Sequence, residues 1–223
     1  MSGVVANGVA LSDAVASAEQ IIASTDIPSE LSVKIAGSYE DQQETFGDLI
    51  MLLVMIIILV YIVMASQFES FMSPFVIMFS IPFAIVGVLM GLTISGTPLG
   101  VMGMIGILIL MGIVVKNGIV LIDYTILMRE RGKSIVESTV IAANSRLRPI
   151  LMTTLTTVLG MIPMAVGQGE GSEMWRSLGI VVAWGLSIST LVTLVIIPTV
   201  YASMATWQER RAAKKAAKKL AKA

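Results

Sequence analysis

The chain contains no cysteine and no histidine among its 223 residues. The first absence excludes disulfide frameworks and thiolate nucleophiles, and the second excludes imidazole proton relays. Together they remove the usual ligands of a zinc site. The sequence shows neither a nucleophile with a base nor a cluster of metal ligands, so we do not expect an enzyme. We also expect no metal, no cofactor and no nucleic-acid partner. Any titrating group must be a carboxylate, a lysine or water.

Charge is also scarce, since 13% of the residues are charged and 56% are hydrophobic. No ordinary soluble domain has this balance. About 20 mostly apolar residues cross the roughly 30 Å of hydrocarbon in a bilayer. Five runs meet that requirement, at residues 49–65, 75–94, 99–122, 150–166 and 178–204. The predicted fold class is therefore an all-α membrane protein with five transmembrane helices in residues 49–206.

The basic residues predict the orientation of these spans. An odd number of spans puts the two termini on opposite sides of the membrane, and basic loops stay in the cytoplasm. Basic residues crowd the tail, 207–223, and the loop between the third and fourth spans, whereas the opposite loops hold only Arg176. We therefore expect a cytoplasmic C-terminus and an N-terminus outside the cytoplasm.

Residues 1–48 differ in composition from the rest, with eight acidic groups and only Lys34. Apolar residues repeat at helical spacing over 11–22 and alternate over 31–35, which predicts a short α/β segment outside the membrane. Ser38 and Asp41 have capping-box spacing, so a second helix should begin near Tyr39 and enter the first span. The start lacks signal-peptide features. Either the first span translocates this small segment, or the chain is a piece of a longer protein.

A further helix is predicted near residues 134–146, where Ser134 and Glu137 form another capping box before an apolar stripe. This pattern predicts an amphipathic helix that lies along the cytoplasmic face of the membrane. A solvated connector whose basic residues bind lipid headgroups is the alternative. Arg146 precedes Pro149, so its long side chain could reach back along the fourth span toward the interior.

Lys116 is the strongest functional candidate, because it lies in the apolar third span. Ionisable residues inside a membrane are costly and usually mark a functional site. Snorkelling to the cytoplasmic interface is the alternative, although the apolar residues 118–122 beyond it favour an interior position. Asn117 beside it is a second candidate. The glycines of this span should permit close approach by neighbouring helices.

Two further features complete the candidate site. Thr153 lies seven residues beyond Arg146, which is two turns along one face of a helix, and could help to line a water path. Thr154, Thr156 and Thr157 are explained by hydrogen bonds to their own backbone or to a neighbouring helix. A buried ammonium also needs a carboxylate opposite it. Asp123 is two turns away on the same helix, so the chain supplies no convincing partner for Lys116.

Four stretches carry a resemblance to a known family: GSYEDQQETFGDLI, VMASQFESFMSPFVIMFSIPFAIVG, GIVVKNGIVLIDY and SRLRPILMTTLTTVLGMIPMAVGQGEGSE. Together they resemble the C-terminal membrane portion of a resistance-nodulation-division (RND) inner-membrane pump, from the hydrophobe/amphiphile multidrug efflux branch. The resemblance implies that the five spans are the last five of twelve and that residues 1–48 end a porter subdomain. It also implies a bacterial inner-membrane location, a periplasmic N-terminus, a homotrimer, a periplasmic adaptor and an outer-membrane channel.

The resemblance further implies a proton relay, in which two aspartates on the fourth family span meet a lysine, an arginine and a threonine. Those three correspond to Lys116, Arg146 and Thr153. The helix with the aspartates is not in this sequence. The implied function is that of the C-terminal part of a proton-driven transporter that exports amphiphilic or hydrophobic compounds, inactive alone. The alternative is a small structural or regulatory membrane protein that associates with an intact pump or with itself.

Overall fold

The computed structural model describes residues 11–25, 38–167 and 172–220, so the strand expected at 31–35 lies outside the described residues. Within them the secondary structure is helical, with no strand. The helices are α1 (Leu11–Ser24), α2 (Ser38–Gln67), α3 (Met72–Met78), α4 (Ser80–Ser95), α5 (Val101–Glu130), α6 (Ile135–Val166) and α7 (Ser172–Leu220).

Five helical stretches are long and apolar enough to cross a membrane: Glu40–Gln67, Met72–Ser95, Val101–Glu130, Ile135–Val166 and Met174–Arg211. Each overlaps one of the five predicted runs, so the all-α architecture with five spans is confirmed. The chain divides into two compact units, Met1–Val54 and Met55–Ala223. In the first unit α1 forms where the helical spacing predicted it. The second unit holds the candidate site.

The second span consists of two helices, α3 and α4, which are separated by a turn at Phe79. Pro82 has no N–H, and its ring crowds the carbonyl four residues earlier, at Met78. The Ser80 hydroxyl donates to the carbonyl oxygen of Ile77 at 2.7 Å. This bond satisfies a backbone acceptor beside the break, as a spanning helix requires.

The core lies where α4, α5 and α7 meet, around a cluster that includes Val88, Leu110 and Val181. Small residues let these helices approach. A side chain at Gly106 would contact Val181, and one at Gly118 would meet Ile77 and Ile197.

The close approach predicted for the third span is therefore real at Gly103, Gly106 and Gly118. At Gly100 and Gly112 a Cβ would meet nothing within 4 Å among the described residues, so no neighbouring helix of this part of the chain uses the space that they leave. Sequence alone could not separate these positions, because which glycines face a neighbour depends on how the helices pack around α5.

Helix α6 differs from its prediction. The N-cap at Ser134 is confirmed, because its hydroxyl accepts a hydrogen bond from the Glu137 N–H at 3.3 Å. However, the helix continues through Pro149 to Val166, so the amphipathic segment and the fourth span are one helix. Proline removes the bond to the carbonyl of Ser145, which lies on the exposed side of α6. A lost bond there does not force the helix to end.

Candidate functional site

Lys116 lies close to the middle of α5, which runs from Val101 to Glu130. Its nearest charged neighbours along the sequence are Glu69 and Asp123, so an uncharged stretch of 46 residues precedes it. Each residue of a helix rises about 1.5 Å, which puts Lys116 more than 20 Å from either end of α5. The ammonium therefore belongs to the apolar part of the helix rather than to its charged end.

One side of α5 is packed and the opposite side is open. A Cβ on Gly118 would lie 2.7 Å from Ile77 and 3.3 Å from Ile197, so that side faces α3 and α7. Lys116 is two residues earlier, about 200° around the helix, and it is exposed.

Exposed positions recur on the Lys116 side of α5 at Ile109, Gly112, Lys116 and Asp123, a set we name the open stripe. A Cβ on Gly112 would meet no other atom of the described residues within 4 Å. No helix of the described residues covers this stripe. A second helix could approach the α5 backbone closely at Gly112, one turn from the ammonium.

Lys116 has no ion pair or hydrogen bond within the described residues. The ion pairs found there join Arg129 to Glu209 and Lys133 to Glu137, each at 2.7 Å. Both are near the end of α5 and the start of α6. The acidic partner expected from the sequence is thus not supplied by Asp123 or by any other described residue.

Arg146 is half-buried and lies against α5, with its guanidinium carbon 4.7 Å from the centre of the Tyr124 ring. Its Nε is buried and has no hydrogen-bond partner in the described part of the chain. Tyr124 was not among the site residues predicted from the sequence. The only signal for it was an aromatic ring two turns beyond Lys116 in the motif GIVLIDY.

Arg146 of α6 and Tyr124 of α5 bring the two helices into contact. The two helices are joined by residues 131–134 and run antiparallel, as such hairpins do. Lys116 lies about 12 Å back along α5 from Tyr124, and Thr153 lies about 10 Å along α6 from Arg146. Both Lys116 and Thr153 therefore lie farther from the connecting residues 131–134 than Tyr124 and Arg146 do.

The other predicted site residues are placed differently. Thr153 is exposed, and its hydroxyl donates to the carbonyl of Pro149 at 2.7 Å. Asn117 is buried, 9% exposed, so its side chain leaves the helix away from the open side on which Lys116 lies. Among the described residues no hydrogen bond or ion pair joins Lys116 to Arg146, Thr153 or Asn117, and Asn117 lies on the buried side of α5.

The remaining threonines of α6 behave as interpreted from the sequence. Thr156 donates to the carbonyl of Met152 at 2.8 Å, and Thr157 donates to that of Thr153 at 2.9 Å. Thr154 instead pairs with Thr190 of α7, with 3.1 Å between the hydroxyl oxygens. Both are buried, so this bond joins two spans inside the bundle.

The site can act through the positive charge of its lysine, which attracts anions. A lysine near the centre of a membrane helix costs about 2.5–3.5 kcal/mol on insertion scales, and an acidic group opposite it offsets that cost. Within the described residues, no group of three acidic side chains could hold a metal ion. The geometry is suited to attracting an anion to the open stripe rather than to covalent catalysis.

Comparison with known proteins gives concordant results. The chain is 36% identical to the multidrug resistance protein MdtC of Proteus mirabilis over 218 residues, which are 96% of this chain and 21% of that protein. It is 34% identical over 110 residues to the cobalt-zinc-cadmium resistance protein CzcA of Cupriavidus metallidurans, covering 49% of this chain and 10% of that one.

The fold is also similar to a crystal structure of a heavy metal efflux pump, with a TM-score of 0.77 and 32% identity over 90% of this chain and 20% of that chain. The chain therefore spans about a fifth of the length of MdtC and of the pump structure. Residues 1–205 match the model of the AcrB/AcrD/AcrF family. This chain belongs to that family and is thus a membrane segment of an RND efflux transporter.

Proposed function

We propose that the chain acts as the C-terminal part of a proton-driven efflux pump and supplies the basic half of its proton relay. Lys116 carries the central charge, and Arg146 and Thr153 belong to the same relay. The observation that carries the proposal is an exposed ammonium in the middle of an apolar helix, with no acidic partner in the described residues. Asn117 is buried next to it, so its contribution acts through the packing of α5.

The missing carboxylates would come from a helix in the N-terminal part of the pump. That helix would lie on the open stripe, where Gly112 leaves room for close backbone contact. Two opposite charges about 4 Å apart attract by about 4 kcal/mol at an effective dielectric constant near 20. Protonation of the carboxylates removes this attraction, so the two helices shift relative to each other and drive the porter.

We also propose a substrate class and an assembly for the complete pump, both from the similarity of the chain to its relatives. Similarity to the multidrug protein covers 96% of the chain, whereas similarity to the cobalt-zinc-cadmium protein covers 49%. The heavy metal efflux pump is matched over 90% of the chain, so coverage alone does not separate the two substrate classes. We propose amphiphilic or hydrophobic compounds as substrates because of the likeness to the multidrug protein. The complete pump would be a homotrimer in the bacterial inner membrane that works with a periplasmic adaptor and an outer-membrane channel.

The proposed orientation puts the C-terminus in the cytoplasm and the N-terminus in the periplasm. Its support is the excess of basic residues in the loop after α5 and in the tail. An enzyme reporter fused after Ala223 should be active only if it can work in the cytoplasm. Activity of a reporter that functions only outside the cytoplasm would reverse this orientation.

Transport by the assembled protein tests the relay directly. The chain and a separately expressed N-terminal part would be reconstituted together in vesicles with an imposed proton gradient, and dye efflux would be followed. Lys116→Ala should abolish efflux while leaving membrane insertion intact. Lys133→Ala is the matched control, because that lysine is exposed and pairs only within α6 and its preceding loop. Efflux by this chain alone, or efflux retained in Lys116→Ala, would refute the proposal.

A small structural or regulatory protein that docks onto an intact pump is the second candidate. The observation that favours it is the small buried share, 11%, of the apolar windows of both the first and the fourth span. Such open apolar faces can contact other helices in a bilayer. Co-purification with a complete pump, unchanged by Lys116→Ala, would support this candidate over the relay.

A further inference from the structure

The guanidinium of Arg146 is held by an aromatic ring rather than by hydrogen bonds. Its central carbon lies 4.7 Å from the centre of the Tyr124 ring, within the range of a cation–π interaction. Its Nε is buried without a hydrogen-bond partner, and Arg146 takes no part in the ion pairs of the described residues. Asp123, the residue before Tyr124, is exposed and forms no ion pair with Arg146 in the described part of the chain. The cation–π contact with the Tyr124 ring is therefore the main interaction that holds the Arg146 guanidinium.

A ring suits this task, because a guanidinium is planar and its donors point outward from its edge. Stacking on one face leaves the edge free to hydrogen-bond a carboxylate. Arg146 is half-buried, so part of it remains accessible to another segment of the protein. A hydrogen bond from a side chain of this chain would instead use one of those donors.

We infer that Tyr124 is a positioning residue for Arg146, which it holds against α5 about two turns along that helix from Lys116. The inference rests on the proposed function, because it assigns Arg146 a role in the relay. Tyr124 itself touches no reacting group. Its ring links α6 to α5, so a shift of one helix moves the basic groups of both together. The described contacts involve the ring and not the hydroxyl.

Substitutions that separate ring from hydroxyl test the inference in the assembled pump. Tyr124→Phe and Tyr124→Trp keep an aromatic face, so efflux should stay within twofold of the unchanged protein. Tyr124→Leu removes the face and should lower the efflux rate about tenfold, the change that 1.4 kcal/mol produces. Tyr124→Met also removes the aromatic face but fills more of the space of the tyrosine. If the Tyr124→Leu protein assembles poorly, Tyr124→Met takes its place, and the same tenfold loss is expected.

A double substitution shows whether the effect passes through Arg146. Arg146→Lys alone should lower efflux, because lysine cannot stack and hydrogen-bond as arginine does. Adding Tyr124→Leu to that protein should then cost less than twofold more, since the two residues are coupled. A merely structural role for Tyr124 would instead give the full additional tenfold loss and would overturn the inference.

Nuclear magnetic resonance detects the contact between Arg146 and Tyr124 without a transport assay. In protein labelled with ¹⁵N-arginine, the Nε–H signal that disappears in Arg146→Gln identifies Arg146. Ring-current shielding should displace that signal, and the displacement should vanish in Tyr124→Leu but persist in Tyr124→Phe.

Three results would overturn the positioning role: an unmoved Nε–H signal in Tyr124→Leu, efflux within twofold of normal in that variant, or an equal loss in Tyr124→Phe. Failure of the proposed function has a different signature, because it appears as efflux retained in Lys116→Ala. The two failures are therefore distinguishable in the same set of vesicles.

Discussion

Replacing Gly87 with alanine should weaken the packing of α4 against α7. A Cβ at this position would lie 2.8 Å from the Cβ of Ile188, 3.0 Å from the carbonyl oxygen of Trp184 and 3.1 Å from the Cα of Gly185. These atoms belong to the backbone of α7 or are fixed directly to it. No change of side-chain rotamer can relieve the overlap, so the two helices must move apart.

The size of the effect follows from that geometry. Ordinary van der Waals contact begins at 3.4 Å, so α4 and α7 must separate by roughly half an ångström. A gap of about that size forfeits about a quarter of the dispersion energy between the facing atoms. The loss falls on the core cluster around Val88 and Leu186. We expect Gly87→Ala to lower the free energy of unfolding by about 2 kcal/mol, within the usual range for overpacking.

Unfolding in mixed micelles, followed by circular dichroism against denaturant concentration, measures this change. Gly160→Ala is the matched control, because a Cβ there would meet nothing within 4 Å and the residue also lies inside a spanning helix. Alanine favours a helix by up to about 1 kcal/mol over glycine, so the control should be neutral or slightly stabilising. If Gly87→Ala were as stable as Gly160→Ala, the close approach of α4 to α7 would be wrong.

Two smaller effects should also be measurable. Thr154→Val removes the hydroxyl pair with Thr190 and should cost about 0.6 kcal/mol, the mean for such bonds between membrane helices, whereas Thr156→Val should cost less because Thr156 bonds only its own helix. Equal losses in unfolding free energy would argue against the bond between spans. Ser134→Ala removes the N-cap of α6 and should cost about 1 kcal/mol, seen as faster hydrogen exchange at Glu137. Unchanged exchange there would show that the cap is not formed.

Much of the fold was predictable, because hydropathy and capping are local properties of the sequence. The five apolar runs predicted the five spans, and Ser134 with Glu137 fixed where α6 begins. The continuation of α6 through Pro149 was not predictable. A proline removes one helical hydrogen bond and crowds the carbonyl four residues earlier. Whether the helix tolerates this depends on the surroundings of that carbonyl, here of Ser145, whose exposure is set by tertiary packing.

The candidate site was predictable in its charges but not in its contacts. Lys116 stood out because a single charge in a long apolar run has few structural explanations. Tyr124 and Thr190 did not stand out, since a ring or a hydroxyl in a membrane helix is common and only the packing of neighbouring helices reveals its partner. The open side of α5 was likewise hidden, because the helical period gives the faces of a helix but not which face remains uncovered.

Cross-linking from position 116 is the most direct test of the claim that an acidic helix covers the open stripe. The chain contains no cysteine, so Lys116→Cys introduces the only thiol. In the assembled pump, it should form a disulfide with a cysteine that replaces one aspartate of the N-terminal part. Leu155→Cys, at an exposed apolar position of α6, should not. If a water-soluble maleimide instead labelled position 116 completely from the cytoplasm and no cross-link formed, Lys116 would lie outside the membrane interior and the relay would be contradicted.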